Sequence, residues 1–95
     1  MTGSMLVVFA YDTPSDRRRA KVARILDDVA DRAQWSVFEG CLTDEQVEQT
    51  LKRLERVLEL GTDKLRVYRV CSYCRARSRV LGPGALAKMS EYWIV

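Results

Sequence analysis

A chain of 95 residues, 47% apolar and 31% charged, has room for one hydrophobic core and not for two. No run approaches the ~18 apolar residues of a membrane span, and no secretory pattern is present. Three cysteines, an odd and sparse set, argue against a disulfide scaffold and for a reducing cytoplasm, and the absence of histidine excludes histidine-based triads.

Residues 1–4 precede a second methionine and read as a cloning remnant without a structural role. Met5 to Tyr11 is an apolar run of strand length, and its lack of alternation points to burial on both faces. Thr13-Pro14-Ser15-Asp16 reads as a helix start, with Thr13 as cap, Pro14 at the first helical position and Asp16 as the capping-box acid. Val22, Ile25, Leu26 and Val29 continue at helical spacing and predict a helix to about Arg32. The stretch 33–42, AQWSVFEGCL, is strand-like, either one kinked strand or a tight pair split near Ser36. Trp35 and Phe38 are assigned to the core or to a subunit contact.

Thr43-Asp44-Glu45-Gln46 is a second capping box. Val47, Leu51, Leu54 and Leu58 mark a second helix, with Gly61 in the place a C-terminal cap prefers. A strand follows from Lys64 to Cys71, and alternation over 74–81 predicts another, with Arg75, Arg77 and Arg79 on one face. Gly82-Pro83-Gly84 breaks the chain before EYWIV, a short strand candidate. The order fits an α+β, ferredoxin-like βαββαβ sandwich over 5–82, with both helices on one face and an additional C-terminal strand in a tail over 83–95. That fold hosts many functions and selects none.

Charge is segregated along the chain. The tracts 17–24 and 66–79 hold ten of the sixteen Lys and Arg residues and none of the thirteen acids. Two clean basic tracts look like the footprint of a polyanion, whereas a merely solvated surface intersperses the signs. Arg17, Arg18 and Arg19 have no acid at i+4, and unpaired cations at a helix amino end make a phosphate-binding corner. Arg75, Arg77 and Arg79, spaced at roughly 6.6–7 Å on a strand, match phosphates along one nucleic-acid strand, although charge on an edge strand also blocks aggregation.

Asp12 ends the first strand just before a helix that has its own cap, which leaves its carboxylate spare for a hard cation. One carboxylate makes no hydrolytic metal site, so either Asp16 or Glu39 converges on it or a twofold axis brings a second Asp12 alongside. Cys71 and Cys74, with Cys41 and no histidine, fall short of a zinc set and are taken as thiols in a turn. Tyr68 and Tyr73 could stack on bases, but no recognisable aromatic pair supports a generic RNA-binding module.

VVFAYDTPSDRRRAKVARIL, an apolar strand ending Tyr-Asp before a basic helix, followed by RAQWSVFEGCL, resembles the small CRISPR-associated Cas two family of the spacer-acquisition machinery. LRVYRVC and SRVLG look like that family's last core strands, so the resemblance spans about residues 5–82. It implies a ferredoxin-like homodimer whose terminal strands cross to the partner's sheet, with two Asp12 carboxylates sharing one Mg²⁺ or Mn²⁺ at the dimer axis. It implies metal-dependent endonuclease activity on single-stranded RNA or on DNA. It also implies a role holding double-stranded DNA and bridging dimers of the Cas one integrase, all in the cytoplasm. By position Asp12 is the metal ligand and catalytic residue. Arg19, Lys21 and Arg32 are basic positions near it, and Tyr11, Ser36 and Phe38 belong to the strand motifs. Lys21 stands where the family often has arginine, and the Cys-x-x-Cys turn has no counterpart role. Two functions remain open: a metal-dependent phosphodiesterase, and a non-catalytic clamp that needs only phosphate contacts.

Overall fold

A computed structural model describes residues 4–71 together with 76, 77, 79 and 81. Its elements run β1 (Met5–Asp12), α1 (Asp16–Asp27), β2 (Asp31–Gln34), β3 (Val37–Leu42), α2 (Asp44–Glu55) and β4 (Lys64–Val70). The strands form one antiparallel sheet in the order β2-β3-β1-β4, the ferredoxin-like arrangement that the element order predicts. The anticipated strand over 74–81 does not hold at Ala76 and Arg77, whose backbone is helical, so the three-arginine strand face is not formed there. Cys74, Arg75 and the tail over 83–95 with EYWIV lie outside the described residues.

Alternation along β1 divides its residues between two faces. Val7, Phe9 and Tyr11 enter the core with Val22, Ala23 and Leu26 of α1, Val47 and Leu54 of α2, and Phe38 and Leu42 of β3. The registers Phe9↔Phe38 and Phe9↔Val67 carry that inward face across the sheet. Leu6, Val8, Ala10 and Asp12 point the other way, beside Val37, Glu39 and Cys41 of β3 and Lys64, Arg66, Tyr68 and Val70 of β4. No described helix covers this second face. The burial on both faces that the apolar run suggests holds for Val7, Phe9 and Tyr11 on the inward face and for Leu6, while Val8 and Ala10 on the second face are only partly buried and Asp12 is exposed.

Helix α1 starts two residues later than expected. Ser15 is the N-cap, extended at φ −94° and ψ 117°, and its hydroxyl accepts the Arg18 N–H. Thr13 instead accepts the Ser15 N–H through its buried side chain, and Pro14 precedes the helix. The helix also stops five residues short of Arg32, at Asp27. Asp27 and Asp28 place two acids at its carboxyl end, against the helix dipole, and Val29 and Ala30 both donate to the Leu26 carbonyl in a tight final turn. The turn is fixed by packing: a Cβ on Gly40 of β3 would lie 2.7 Å from the Val29 carbonyl oxygen, so glycine is what lets the two backbones meet. Residues freed from the helix build β2, and 33–42 is the tight pair of strands rather than one kinked strand.

The second capping box forms as the sequence indicates, with Gln46 N–H donating to Thr43 Oγ1 and Thr43 N–H to Gln46 Oε1. Here too the helix ends early, at Glu55 with Arg56 as cap, and Gly61 sits beyond it in the turn leading to β4. A buried carboxylate, Asp63, organises that turn by accepting the Glu59 N–H.

Candidate nucleic-acid interface

Asp12 ends β1 on the open sheet face, directly across from Lys64. With Ala10, Tyr11, Lys64 and Arg66 it lines a depression of about 240 Å³. The carboxylate is exposed and makes no ion pair among the described residues. Neither Asp16 nor Glu39 joins it. Asp16 pairs with Arg19 near the start of α1. Glu39 stands opposite Val8, four residues and about 13 Å along the strand from Asp12. No group of three ligating side chains forms among the described residues. Among the described residues of one chain, then, a lone carboxylate flanked by two cations does not fit a divalent ion.

A second cleft, of about 290 Å³, opens between α1 and the β2–β3 hairpin. Its walls are Arg19, Ala20, Ala23, Arg32, Trp35 and Tyr11, with Asp16 at the rim. Tyr11 thus links the two depressions. Its ring stacks on Phe38 at 6.2 Å between centroids and 26° between planes, and its backbone N–H donates to the Ser36 carbonyl at 3.1 Å. The motif residues Tyr11, Ser36 and Phe38 therefore act as one packed unit that holds the strand end beside Asp12. Burial pushes the Tyr11 phenol up, and Arg32 and Arg19 pull it the other way.

Arg32 stands opposite Phe38 in the ladder, with its guanidinium 5.0 Å from the Phe38 ring centroid and 5.8 Å from that of Trp35. One of its nitrogens donates to the Trp35 carbonyl at 3.0 Å, and it has no carboxylate partner among the described residues. Arg19 pairs with Asp16 and donates to the Thr13 carbonyl at 2.8 Å, which directs it along the same cleft.

Arg18 is not the unpaired cation expected of it. Its guanidinium grips Asp63 through two bonds of 2.7 and 3.1 Å and reaches Glu59 at 3.1 Å. The missing i+4 acid is replaced by acids more than forty residues away, a partnership no local spacing reveals. This clip ties the first turn of α1 to the loop entering β4 and so sets Lys64 across from Asp12. Arg69 is likewise engaged, with Asp44 at 3.3 Å and Glu48 at 3.4 Å on the helix side of the sheet. Arg17 and Lys21 are exposed along α1 and line neither depression; Arg77 and Arg79 are exposed. Lys64 and Arg66, absent from the anticipated site, flank Asp12 because the β1–β4 register places them there. Only alternation within 64–70 hinted that they share a face. The anticipated core or subunit-contact role of Trp35 meets a side chain that is 72% exposed.

Arg18 holds the Asp63 carboxyl well below the usual carboxylate range, helped by the Glu59 N–H and the Thr13 hydroxyl against the cost of burial. In the unfolded chain that carboxyl titrates near ~3.9. The folded value is the lower one, so its contribution to stability is complete above the unfolded pKa and disappears as pH falls below it. Thermal melts between pH 6 and pH 2 are expected to show the native chain losing stability more steeply than Asp63→Asn. The variant should melt several degrees lower near neutrality and converge on the native chain in acid.

Fold and site together define a small ferredoxin-like protein with a free carboxylate and a set of cations at one end of its sheet. A family model described as CRISPR associated protein Cas2 matches residues 5–78, and the chain belongs to that family. It is 39% identical over 93 residues to the CRISPR-associated endonuclease Cas2 2 of Thermus thermophilus, covering 98% of this chain and 99% of that one. The crystal structure of a hypothetical protein from Thermus thermophilus superposes with a TM-score of 0.77 at 41% identity, covering 88% and 98% of the two chains. A chain of a partial Cas6-RT-Cas1–Cas2 complex shares the fold at a TM-score of 0.70 and 22% identity, covering 90% and 98%. Among the described residues no helix is long and apolar enough to cross a membrane.

Proposed function

We propose that this protein acts in CRISPR spacer acquisition as a homodimeric nucleic-acid-binding protein, and that two Asp12 carboxylates meeting at the dimer axis hold one Mg²⁺ or Mn²⁺ for phosphodiester hydrolysis. The observation that carries the reading is the placement of Asp12: exposed, free of any ion pair among the described residues, and on the one sheet face no described helix covers. That face offers Val8, Ala10, Val37 and the half-exposed Tyr68 to a second copy. An isologous contact across it would supply the second carboxylate that a single chain lacks. When bound, the cation would lower the pKa of a coordinated water and stabilise charge on the phosphate. The chain's own cations, Lys64 and Arg66 beside Asp12 and Arg19 and Arg32 across Tyr11, would bind and orient the phosphodiester backbone. The endonuclease name of the Thermus relative agrees with this chemistry.

A second reading, a non-catalytic DNA scaffold that bridges Cas1 integrase dimers, draws support from the sparse carboxylate equipment of each chain. The Cas1-containing complex with a chain of the same fold agrees with it. Three measurements test the reading. Sedimentation at micromolar concentration should show a dimer, and labelled RNA and duplex DNA should be cut with Mg²⁺ but not with chelator. Binding should weaken about tenfold or more between 50 and 200 mM salt if several phosphates are neutralised. A stable monomer removes the paired-aspartate centre; a dimer that binds but never cuts leaves the scaffold.

A further inference from the structure

Trp35 stands at the rim of a cleft rather than in the core. A large aromatic side chain at a hairpin tip, 72% exposed, offers a π-face to a ligand. Beside it lies a cleft of about 290 Å³, near the lower bound of small-ligand sites and sized for a single molecular unit rather than a length of strand. Two guanidinium groups stand on its walls, Arg32 and Arg19, the latter paired with Asp16, which lines the same cleft and would have to yield part of that pairing to a phosphate. Arg32 lies over the Trp35 ring at 5.8 Å and has no carboxylate partner among the described residues. Tyr11, 4% exposed, also lines it, and its hydroxyl is buried with no hydrogen-bond partner. An aromatic platform, two cations and an unsatisfied donor together match one ligand chemistry: a planar base joined to a phosphate.

We propose that the cleft between α1 and the β2–β3 hairpin is a one-nucleotide subsite, in which an unpaired base stacks on Trp35 while its phosphate is held by Arg19 and Arg32. The subsite rests on the nucleic-acid-binding reading above and adds to it a preference for unpaired strand. Bases inside a duplex have both faces covered by neighbours, so only a splayed or single-stranded base can lie on an indole. The cleft is built by Tyr11, Ala20 and Ala23 from the helix side of the sheet. It therefore stays open if a second copy covers the opposite face. Arg32 serves twice, as the cation fixing the indole and as a phosphate ligand.

The test uses the full chain with Trp93→Phe, so that Trp35 is the sole tryptophan, and short oligothymidylate and oligouridylate as probes. Either probe is expected to quench Trp35 fluorescence, and an abasic oligomer of the same length to leave it unchanged. In parallel, anisotropy of labelled oligomers on an otherwise native chain should show Trp35→Ala binding single strands about tenfold more weakly, as loss of one base stack implies. Duplex affinity should hold within about twofold, and Trp35→Phe should restore most of the single-strand affinity. Because the side chain is so exposed, the melting temperature of Trp35→Ala should match the native one, which separates lost binding from lost fold. Quenching by the abasic oligomer, or equal affinities for native and Trp35→Ala protein, overturns the subsite while leaving the wider reading in place. A native chain that binds no nucleic acid overturns both.

Discussion

Asp12→Asn is expected to abolish Mg²⁺-dependent cleavage, by at least about a hundredfold, while leaving nucleic-acid binding intact. The substitution preserves shape and removes charge, and in a twofold-symmetric centre it removes both carboxylates at once. If the proposed centre holds a cation, losing it would forfeit several kcal/mol of charge stabilisation in the transition state, and each ~1.4 kcal/mol is a factor of ten in rate. Binding should hold or improve slightly, because an anion leaves a surface that carries Lys64 and Arg66 and that, on the proposed reading, would face phosphates. A gel assay with labelled RNA and DNA, run beside an anisotropy titration, reads both quantities. Cleavage at the native rate in Asp12→Asn would place the chemistry at another site or in a contaminant.

Phe38→Ala should be the most damaging substitution for the fold. The ring is fully buried, stands opposite Phe9 in the ladder, stacks on Tyr11 and carries the Arg32 guanidinium on its outer side. Truncating a buried phenylalanine costs about 3–5 kcal/mol. A domain of this length has a total stability of roughly 5–14 kcal/mol, so about a fifth or more of it would go. The melting temperature should fall by about 15 °C or more. Leu60→Ala, at a side chain 73% exposed, is the control and should scarcely move it. Thermal melts at a single protein concentration decide the matter, since dimerisation makes stability concentration-dependent. Arg32 would lose its aromatic support with the ring, so the cleft beside Trp35 should fail in any Phe38→Ala protein that still folds.

The two predictions draw on different levels of legibility. Local chemistry settled much of the fold in advance. Thr43 and Gln46 cap α2 by reciprocal bonds between residues three apart, and the apolar run of β1 needed no knowledge of its neighbours to be read as a strand. Helix ends were harder. The stop at Asp27 depends on Gly40 admitting the Val29–Ala30 backbone, a contact between residues on different elements, and the helical period continued past it. The cap shifted from Thr13 to Ser15 for a similar reason: buried Thr13 takes part in the Asp63 cluster.

By itself the sequence determined the ferredoxin-like element order and the strand-end position of Asp12, because each is written in periodicity and spacing over a few residues; the packing of Tyr11 against Ser36 and Phe38 joins residues about 25 positions apart and appears only in three dimensions. Tertiary structure alone decided which cations are free. Arg18 is spent on Asp63 and Glu59, and Arg69 on Asp44 and Glu48, while Lys64 and Arg66 arrive beside Asp12 through strand register. It also left Trp35 bare at a hairpin tip. Charge pairing and exposure are set by distances in space, and a chain that folds back on itself makes those distances independent of separation along the sequence.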